Sequence, residues 1–178
     1  MKHQIKETLE IPQGISCEYK DNTLFFKKDS LEIARKIKSP NISISLENNK
    51  INFISKKGNK NQFKIISSNI AHIKNIFKGL ENKFIYKLEA VNVHFPMTLK
   101  VENEKLVINN FLGEKVPRYA EIDKGVDVAV KGNQITVSSH DKEAAGRTAA
   151  NIERSTKIKS RDRRVFQDGC YITQKPGE

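Results

Sequence analysis

Apolar and polar residues alternate along most of the chain, and this period of two predicts β-strands that are buried on one face. The alternation is clearest in Asn41–Ser55 and in Gly125–Ser139, where a polar turn separates two alternating runs. The two segments align at a constant offset of 84 residues, which places Ile44 on Val128. Each segment predicts a β-hairpin, and their similarity predicts an internal repeat.

The repeat extends on both sides of the two hairpins. At the same offset, Ile11-Pro12 aligns with Phe95-Pro96 and Cys17 aligns with Val101. A third match follows the hairpins at an offset of 82 residues. Three matches in the same chain order predict a duplicated module of about 80–85 residues.

Each module is predicted to contain several strands. In the first module the predicted strands are Ile5–Glu10, Ile15–Tyr19, Thr23–Phe26, Ile42–Leu46 and Ile51–Ile54. In the second module they are Thr98–Val101, Leu106–Asn109, Val126–Val130 and Ile135–Ser138. A short helical turn is predicted at Leu31–Ile37. The long alternating stretch Phe84–Phe95 changes phase in its middle, which predicts a strand with a bulge or a bend.

One helix is predicted near the end of each module, from apolar residues three or four positions apart. The first follows the possible N-caps Ser67-Ser68 and ends at Gly79, and the second is capped by Asp141 and runs to about Ser155. The residues predicted to face a sheet are Ile70, Ile73 and Phe77 in the first helix and Ala145, Thr148 and Ile152 in the second.

These elements predict an α+β fold of two tandem homologous modules, in each of which a small, twisted, antiparallel or mixed sheet packs against one main helix. The modules are predicted to span residues 1–82 and 83–178 and to be joined by a strand around residues 84–95. The sequence has no stretch rich in Gly, Ser or Pro that would be typical of a flexible linker.

Composition excludes several classes of protein. Hydrophobic residues make up 37% of the chain, and none of their runs approaches the length of about 18 that a membrane helix needs. The N-terminal residues lack the apolar segment of a secretory signal. Cys17 and Cys170 are too few and too far apart for a disulfide framework or a zinc ribbon. We therefore expect a cytoplasmic protein with no membrane segment and no cofactor.

The strongest global signal is positive charge. The 32 Lys and Arg residues exceed the 21 Asp and Glu residues, which gives a net charge of +11. A small chain with this charge usually has an anionic partner, of which nucleic acid is the first candidate, although a solvated lysine-rich surface is the alternative.

The positive charge is concentrated between Arg154 and Arg164, where six basic residues accompany one acidic residue. Four of the basic residues alternate with other residues, so an extended strand would present them on one face, and a loop would present them as a flexible comb. Either arrangement suits a phosphate backbone. The nearby Phe166 and Tyr171 are expected to anchor the segment, with stacking on bases as the alternative.

A catalytic site is not indicated. The sequence lacks the HExxH, GxSxG, GxGxxG and Walker motifs. His140-Asp141 is a candidate acid–base pair, but Asp141 is also the predicted N-cap of the second helix, which is the favoured interpretation. We expect no enzymatic activity.

Three segments carry a family resemblance, namely Ala71–Met97, Asn110–Arg118 and Asp141–Ile172. They resemble the archaeal form of the L-six family of large ribosomal subunit proteins. The resemblance implies two α+β modules and no enzymatic activity. It also implies binding to large-subunit rRNA near the factor-binding region and the base of the stalk, mostly through the C-terminal module, beside neighbouring ribosomal proteins.

The candidate rRNA-binding residues lie in the second module, in the loop before residue 119, on the second helix and in the basic segment. They are Lys115, Arg118, Lys142, Arg147, Arg154, Lys157, Lys159, Arg161, Arg163, Arg164 and Gln167. One departure from the family pattern is that Lys27–Ser30 stands where a Gly-Pro-Lys-Gly loop is usual. The alternative function is a free-standing RNA-binding assembly factor that uses the same duplicated module.

Overall fold

The computed structural model describes residues 3–29, 31–37, 42–47, 49–162 and 164–177. These residues form thirteen β-strands, two α-helices and one short 3-10 helix, and each strand ladder is antiparallel. The chain divides into two compact units, residues 1–81 and 82–178. Each unit contains strands and a helix, so the predicted α+β class is confirmed.

The first unit contains six strands and one helix among its described residues. They are β1 (His3–Glu10), β2 (Ser16–Lys20), β3 (Thr23–Lys28), β4 (Leu31–Lys36), β5 (Ser43–Glu47), β6 (Lys50–Gly58) and α1 (Lys60–Glu81). The strands form two sheets, in the orders β1-β6-β5 and β2-β3-β4. Helix α1 packs against β1, β3 and β6. The core between them includes the fully buried Phe26, Phe53, Ile66 and Ile73.

The described residues of the second unit contain seven strands, one α-helix and the 3-10 helix. They are β7 (Phe84–Val91), β8 (Thr98–Glu102), β9 (Lys105–Asn109), the 3-10 helix (Phe111–Gly113), β10 (Arg118–Glu121), β11 (Asp127–Lys131), β12 (Gln134–Ser139), α2 (Lys142–Ser155) and β13 (Gly169–Gln174). The sheets have the orders β11-β12-β7-β13 and β10-β9-β8. Helix α2 packs on strands of both sheets and buries Ile152 completely.

The two units share one topology, as the sequence repeat predicts. The order β5-β6-β1 corresponds to β11-β12-β7, and β2-β3-β4 corresponds to β8-β9-β10. Leu46 pairs with Ile51 and Val130 pairs with Ile135, so the offset of 84 holds across these hairpins. In the β2–β3 and β8–β9 hairpins the turns align at an offset of 82, which places Cys17 on Leu99 instead of Val101. The first unit's described residues have no strand that corresponds to β13.

Helix α1 begins seven residues earlier than the predicted cap at Ser67-Ser68. The carboxamide oxygen of Asn59 accepts hydrogen bonds from the backbone N–H groups of Asn61 (2.9 Å) and Gln62 (3.1 Å). The side chain of Gln62 in turn accepts from the backbone N–H of Asn59 at 3.0 Å. This reciprocal arrangement is a capping box, and it satisfies donors that the helix start would leave unpaired. Gly79 lies inside the helix and is buried.

Three other sequence predictions need correction. Leu31–Ile37 does not form a helical turn, because residues 31–36 alternate in burial and make strand β4. The strand predicted at Phe84–Phe95 ends at Val91, and its partners β12 and β13 both belong to the second unit. Strands β10 and β13 were not predicted. Ser30 and Asn41, which belong to predicted segments, lie outside the described residues.

Helix α2 agrees with its prediction. It begins after Asp141, whose carboxylate accepts a hydrogen bond from the backbone N–H of Glu143 at 2.8 Å. The three residues predicted to face a sheet, Ala145, Thr148 and Ile152, are fully buried. In α1, Ile73 and Phe77 are buried and Ile70 is partly buried.

Candidate nucleic-acid interface

Three loops of the second unit meet close to the C-terminal end of α2, and Asp168 joins two of them. Its buried carboxylate accepts hydrogen bonds from the backbone N–H groups of Val93 (2.8 Å) and His94 (3.0 Å). Nδ1 of His94 lies 2.6 Å from the other carboxylate oxygen. The residues that follow the basic segment are therefore fixed to those that follow β7.

The third loop, residues 110–117, reaches the same place. The side-chain amide of Asn110 donates a hydrogen bond to the carbonyl oxygen of Pro96 at 2.9 Å. The ring of Phe95 lies so close to Gly113 that an added Cβ would be 3.4 Å from it. Gly113 also has a φ of +78°, a left-handed conformation that glycine adopts most easily. Residues 92–97, 110–117 and 156–168 thus form one surface.

The basic segment begins in the last turn of α2 and continues into a loop, residues 156–168, that leads to β13, and three side chains of this loop point into the protein. Thr156, Ile158 and Asp168 are buried. The hydroxyl oxygen of Thr156 accepts a hydrogen bond from the backbone N–H of Cys170 at 2.9 Å, which connects the two ends of the loop. The predicted alternation holds from Thr156 to Lys159, and it ends where Ser160 adopts a left-handed φ of +58°.

A turn around Asp162 shapes the tip of this loop. The carboxylate of Asp162 accepts a hydrogen bond from the backbone N–H of Arg164 at 2.9 Å. The backbone carbonyl oxygen of Asp162 accepts a second one from the backbone N–H of Phe166 at 2.9 Å. The ring of Phe166 stacks on His94 with centroids 5.0 Å apart, and the guanidinium of Arg161 lies 4.7 Å from its centroid. Phe166 therefore anchors the loop, as the sequence predicted.

Most of the predicted RNA-binding side chains are exposed on or beside this loop. The exposed residues are Arg154, Lys157, Lys159, Arg161, Arg164 and Gln167. The Arg164 side chain is 92% exposed, although its Nε lies 3.4 Å from Asp162. Lys115, in the loop that precedes β10, is also exposed. The predicted residue Arg163 lies outside the described residues.

Arg118 has a different environment from that expected of an RNA ligand. Its guanidinium makes two hydrogen bonds to Glu114, at 2.7 and 2.6 Å, and donates to the carbonyl oxygen of Ser155 at 2.9 Å. It also lies 4.2 Å from the centroid of the buried Phe111 ring. The hydrogen bonds from Arg118 lower the pKa of Glu114. Arg118 therefore connects the loop before β10 to the C-terminal end of α2.

Lys142 and Arg147 lie nearer the beginning of α2. The rise of 1.5 Å per residue places Lys142 about 18 Å from Arg154 along the helix axis. The Arg147 guanidinium is hydrogen-bonded to Asp123, which raises the pKa of Arg147, and the Lys142 ammonium lies 5.7 Å from the Phe84 ring centroid. These two predicted ligands are not part of the three-loop surface.

Two buried titratable groups lie beneath the loop. Burial alone would raise the pKa of the Asp168 carboxyl. The hydrogen bonds from the ring and backbone of His94 and from the backbone of Val93 lower it by more, so the pKa lies below its usual value. Asp168 is thus an ionised acceptor. Burial raises the pKa of the Cys170 thiol to about 11, so this residue is an uncharged part of the core.

The described residues contain no candidate metal site. None of their His, Cys, Asp and Glu side chains form a group that could hold a metal ion. Asp141 acts as the helix N-cap, as the favoured interpretation of His140-Asp141 predicted. Within the described part of the chain, neither helix has the length and apolar character needed to cross a bilayer.

The surface coincides with the part of the chain that a family model recognises. Residues 95–169 match the family described as Ribosomal protein L6. The chain is 41% identical to the large ribosomal subunit protein uL6 of Methanococcus vannielii over 174 residues, which cover 98% of this chain and 96% of that protein. It is 40% identical to uL6 of Methanobrevibacter smithii over 171 residues, which cover 96% of each chain. The chain therefore belongs to the uL6 family of large ribosomal subunit proteins, in its archaeal form.

Proposed function

We propose that this protein is a structural constituent of the large ribosomal subunit and that residues 154–167 bind large-subunit rRNA. The observation that carries the proposal is a loop whose anchoring side chains are buried and whose described basic side chains are exposed. The loop is held to the rest of the second unit by the buried residues Thr156, Ile158 and Asp168. Its exposed surface carries the side chains of Arg154, Lys157, Lys159, Arg161 and Arg164.

This arrangement suits the phosphate backbone of a folded RNA. Arginine can bind a phosphate through two parallel hydrogen bonds, and lysine supplies a compact positive charge. Phosphate contacts of this kind fix the position of a protein on RNA without reading its sequence. Because hydrogen bonds within the protein hold both ends of the loop, binding needs to fix less of its backbone.

The family resemblance supports a position near the factor-binding region and the base of the stalk, next to other large-subunit proteins. The names of the archaeal relatives support a ribosomal, and hence cytoplasmic, location. The family to which the chain belongs supports a non-enzymatic role.

The salt dependence of RNA binding tests the proposal. In a Lys159→Ala/Arg161→Ala/Arg164→Ala variant, three phosphate contacts are lost. Each contact contributes roughly 0.7–0.9 to the slope of log K against log salt, so the slope should flatten by about 2–3 units. Binding of the full chain to large-subunit rRNA fragments would be measured over a series of salt concentrations.

A matched control removes the same charge from α1 of the first unit. Lys60, Lys64 and Lys74 are exposed, and alanine is favourable in a helix, so Lys60→Ala/Lys64→Ala/Lys74→Ala should keep the fold. We expect the slope of this control to stay close to that of the wild type. An unchanged slope in the loop variant, or a larger loss in the control, would refute the assignment. Co-sedimentation at one copy per mature large subunit separates a constituent from an assembly factor, which would be found only on precursor particles.

A further inference from the structure

The proposed RNA surface contains a cleft of about 290 Å³ at the end of α2. Its floor is formed by the buried Thr156, Ile158 and Cys170. Tyr171 forms part of the wall, and the charged residues Glu153, Arg154 and Lys157 stand at the edge. The cleft is just below the range of about 300–1,000 Å³ that is common for pockets of drug-sized ligands. This volume suits a single planar group.

The floor of the cleft has no unsatisfied polar group to attract water or an ion. The Thr156 hydroxyl accepts from the backbone N–H of Cys170 and donates to the carbonyl oxygen of Glu153 at 3.2 Å. Burial raises the pKa of Cys170 to about 11, so the thiol is neutral, and Ile158 is apolar. A ligand that enters the cleft therefore meets an uncharged floor.

Tyr171 is an aromatic wall with a fixed orientation. Its hydroxyl donates to the carbonyl oxygens of Gln167 at 3.1 Å and Asp168 at 3.4 Å. Gly169 lets the ring lie close to the backbone, because a Cβ at this position would be 3.2 Å from the ring. The ring is partly exposed. An oriented aromatic ring beside two basic side chains is a combination that binds unstacked nucleotides.

We propose that this cleft takes one unstacked nucleotide of the bound RNA, with its base against Tyr171 and its phosphate held by Arg154 and Lys157. The proposal rests on the proposed rRNA-binding function and adds a mode of binding to it. Arg154 and Lys157 line the same cleft as Tyr171, so the phosphate and the base of one nucleotide can be bound together. The exposed residues of the loop tip bind the neighbouring phosphates.

The test compares Tyr171→Leu with Tyr171→Phe in the full chain. Stacking of one base on an aromatic side chain corresponds to roughly a 5- to 150-fold change in affinity. Tyr171→Leu should weaken binding to large-subunit rRNA fragments by this amount. Tyr171→Phe keeps the ring and should bind nearly as the wild type does. The salt slope should not change in either variant, because neither substitution removes a charge.

Ultraviolet cross-linking of the wild-type complex provides a second measurement that does not depend on the stability of a variant. Mass spectrometry should find a nucleotide attached to the peptide that contains Tyr171. Cross-links confined to other peptides would overturn the proposal. Equal losses of affinity in the Phe and Leu variants would also overturn it, because they would assign the effect to the hydroxyl contacts with the loop.

The two proposals fail in different ways. If the Lys159→Ala/Arg161→Ala/Arg164→Ala variant keeps the wild-type salt slope, the proposed RNA surface is wrong. If that slope flattens while Tyr171→Leu binds as the wild type does, the RNA surface stands and the nucleotide cleft is wrong.

Discussion

Substitution of Arg118 by lysine separates a structural role for this residue from a role in RNA binding. Lysine keeps the positive charge but cannot reproduce the planar guanidinium that contacts Glu114, Ser155 and Phe111 together. If Arg118 connects the loop to α2, as its contacts indicate, the substitution should lower the stability of the second unit. If Arg118 binds a phosphate, it should mainly affect RNA affinity.

The expected magnitude follows from the contacts. A hydrogen bond to a charged group contributes about 1.5–3 kcal/mol, and a cation–π contact at a partly exposed site contributes about 0.5–1 kcal/mol. The ammonium of lysine can keep the partly exposed ion pair with Glu114, but it cannot also make the hydrogen bond to Ser155 and the contact with the Phe111 ring. These two losses add up to about 2–4 kcal/mol, by which we expect the free energy of unfolding to fall. For a domain of this size, each kcal/mol lowers Tm by about 4–8 °C, so a shift of more than about 8 °C is expected.

Urea unfolding followed by circular dichroism measures the loss, and hydrogen exchange of the α2 amides assigns it to the second unit. Lys115→Ala is a suitable control, because Lys115 is exposed in the same loop and its removal should change stability by less than about 0.5 kcal/mol. Wild-type stability of Arg118→Lys together with weaker RNA binding would refute this reasoning and restore Arg118 as an RNA ligand.

Two further predictions concern buried groups of the second unit. Ile152→Asp places an unpaired charge in a fully buried position and should destabilise the unit by more than about 4 kcal/mol. Ile152→Val only shortens the side chain and should cost about 0.5–1.5 kcal/mol. Near-native melting of the Asp variant would show that this helix face is wrongly assigned. The pKa of Asp168 is lowered from 3.8, so its stabilising contribution is complete above that pH and disappears as the pH falls through the folded pKa. Asp168→Asn should therefore be less stable than the wild type at pH 6 and should lose less of its stability than the wild type does below about pH 4, as measured by urea unfolding at both pH values.

The sequence predicted the elements that depend on local pattern. The two hairpins around Ile51 and Ile135 were predictable because alternation and a polar turn are visible within fifteen residues. Helix α2 was predictable because its cap Asp141 and its buried face follow one another directly. The β2–β3 hairpin was aligned two residues from its true counterpart, because a short indel in a weakly apolar region leaves no local trace.

The features that the sequence did not reveal are a polar helix start and several contacts between distant residues. The start of α1 was missed because its first turn is polar and Phe63 is 48% exposed. The helical spacing of buried apolar residues, on which the prediction relied, therefore begins only further along the helix. The contacts of Arg118 were not predicted, because its hydrogen bond to Ser155, 37 residues away, leaves no trace in the sequence. The hydrogen bonds that fix the loop of His94 were not predicted either, because the buried Asp168 that accepts them lies 74 residues further on.

Strand β13 has a consequence for the energetics of the basic loop. In a module that ended at its helix, the residues after α2 would be a tail, and ordering each of them on RNA would cost about 1–2 kcal/mol of backbone conformational entropy. Because β13 returns the chain to β7, both ends of residues 156–168 are held before any partner arrives. Strand β13 has no counterpart among the described residues of the first unit. Because of this strand, part of the entropic cost of ordering the basic loop arises when the second unit folds, and less of that cost remains when RNA binds.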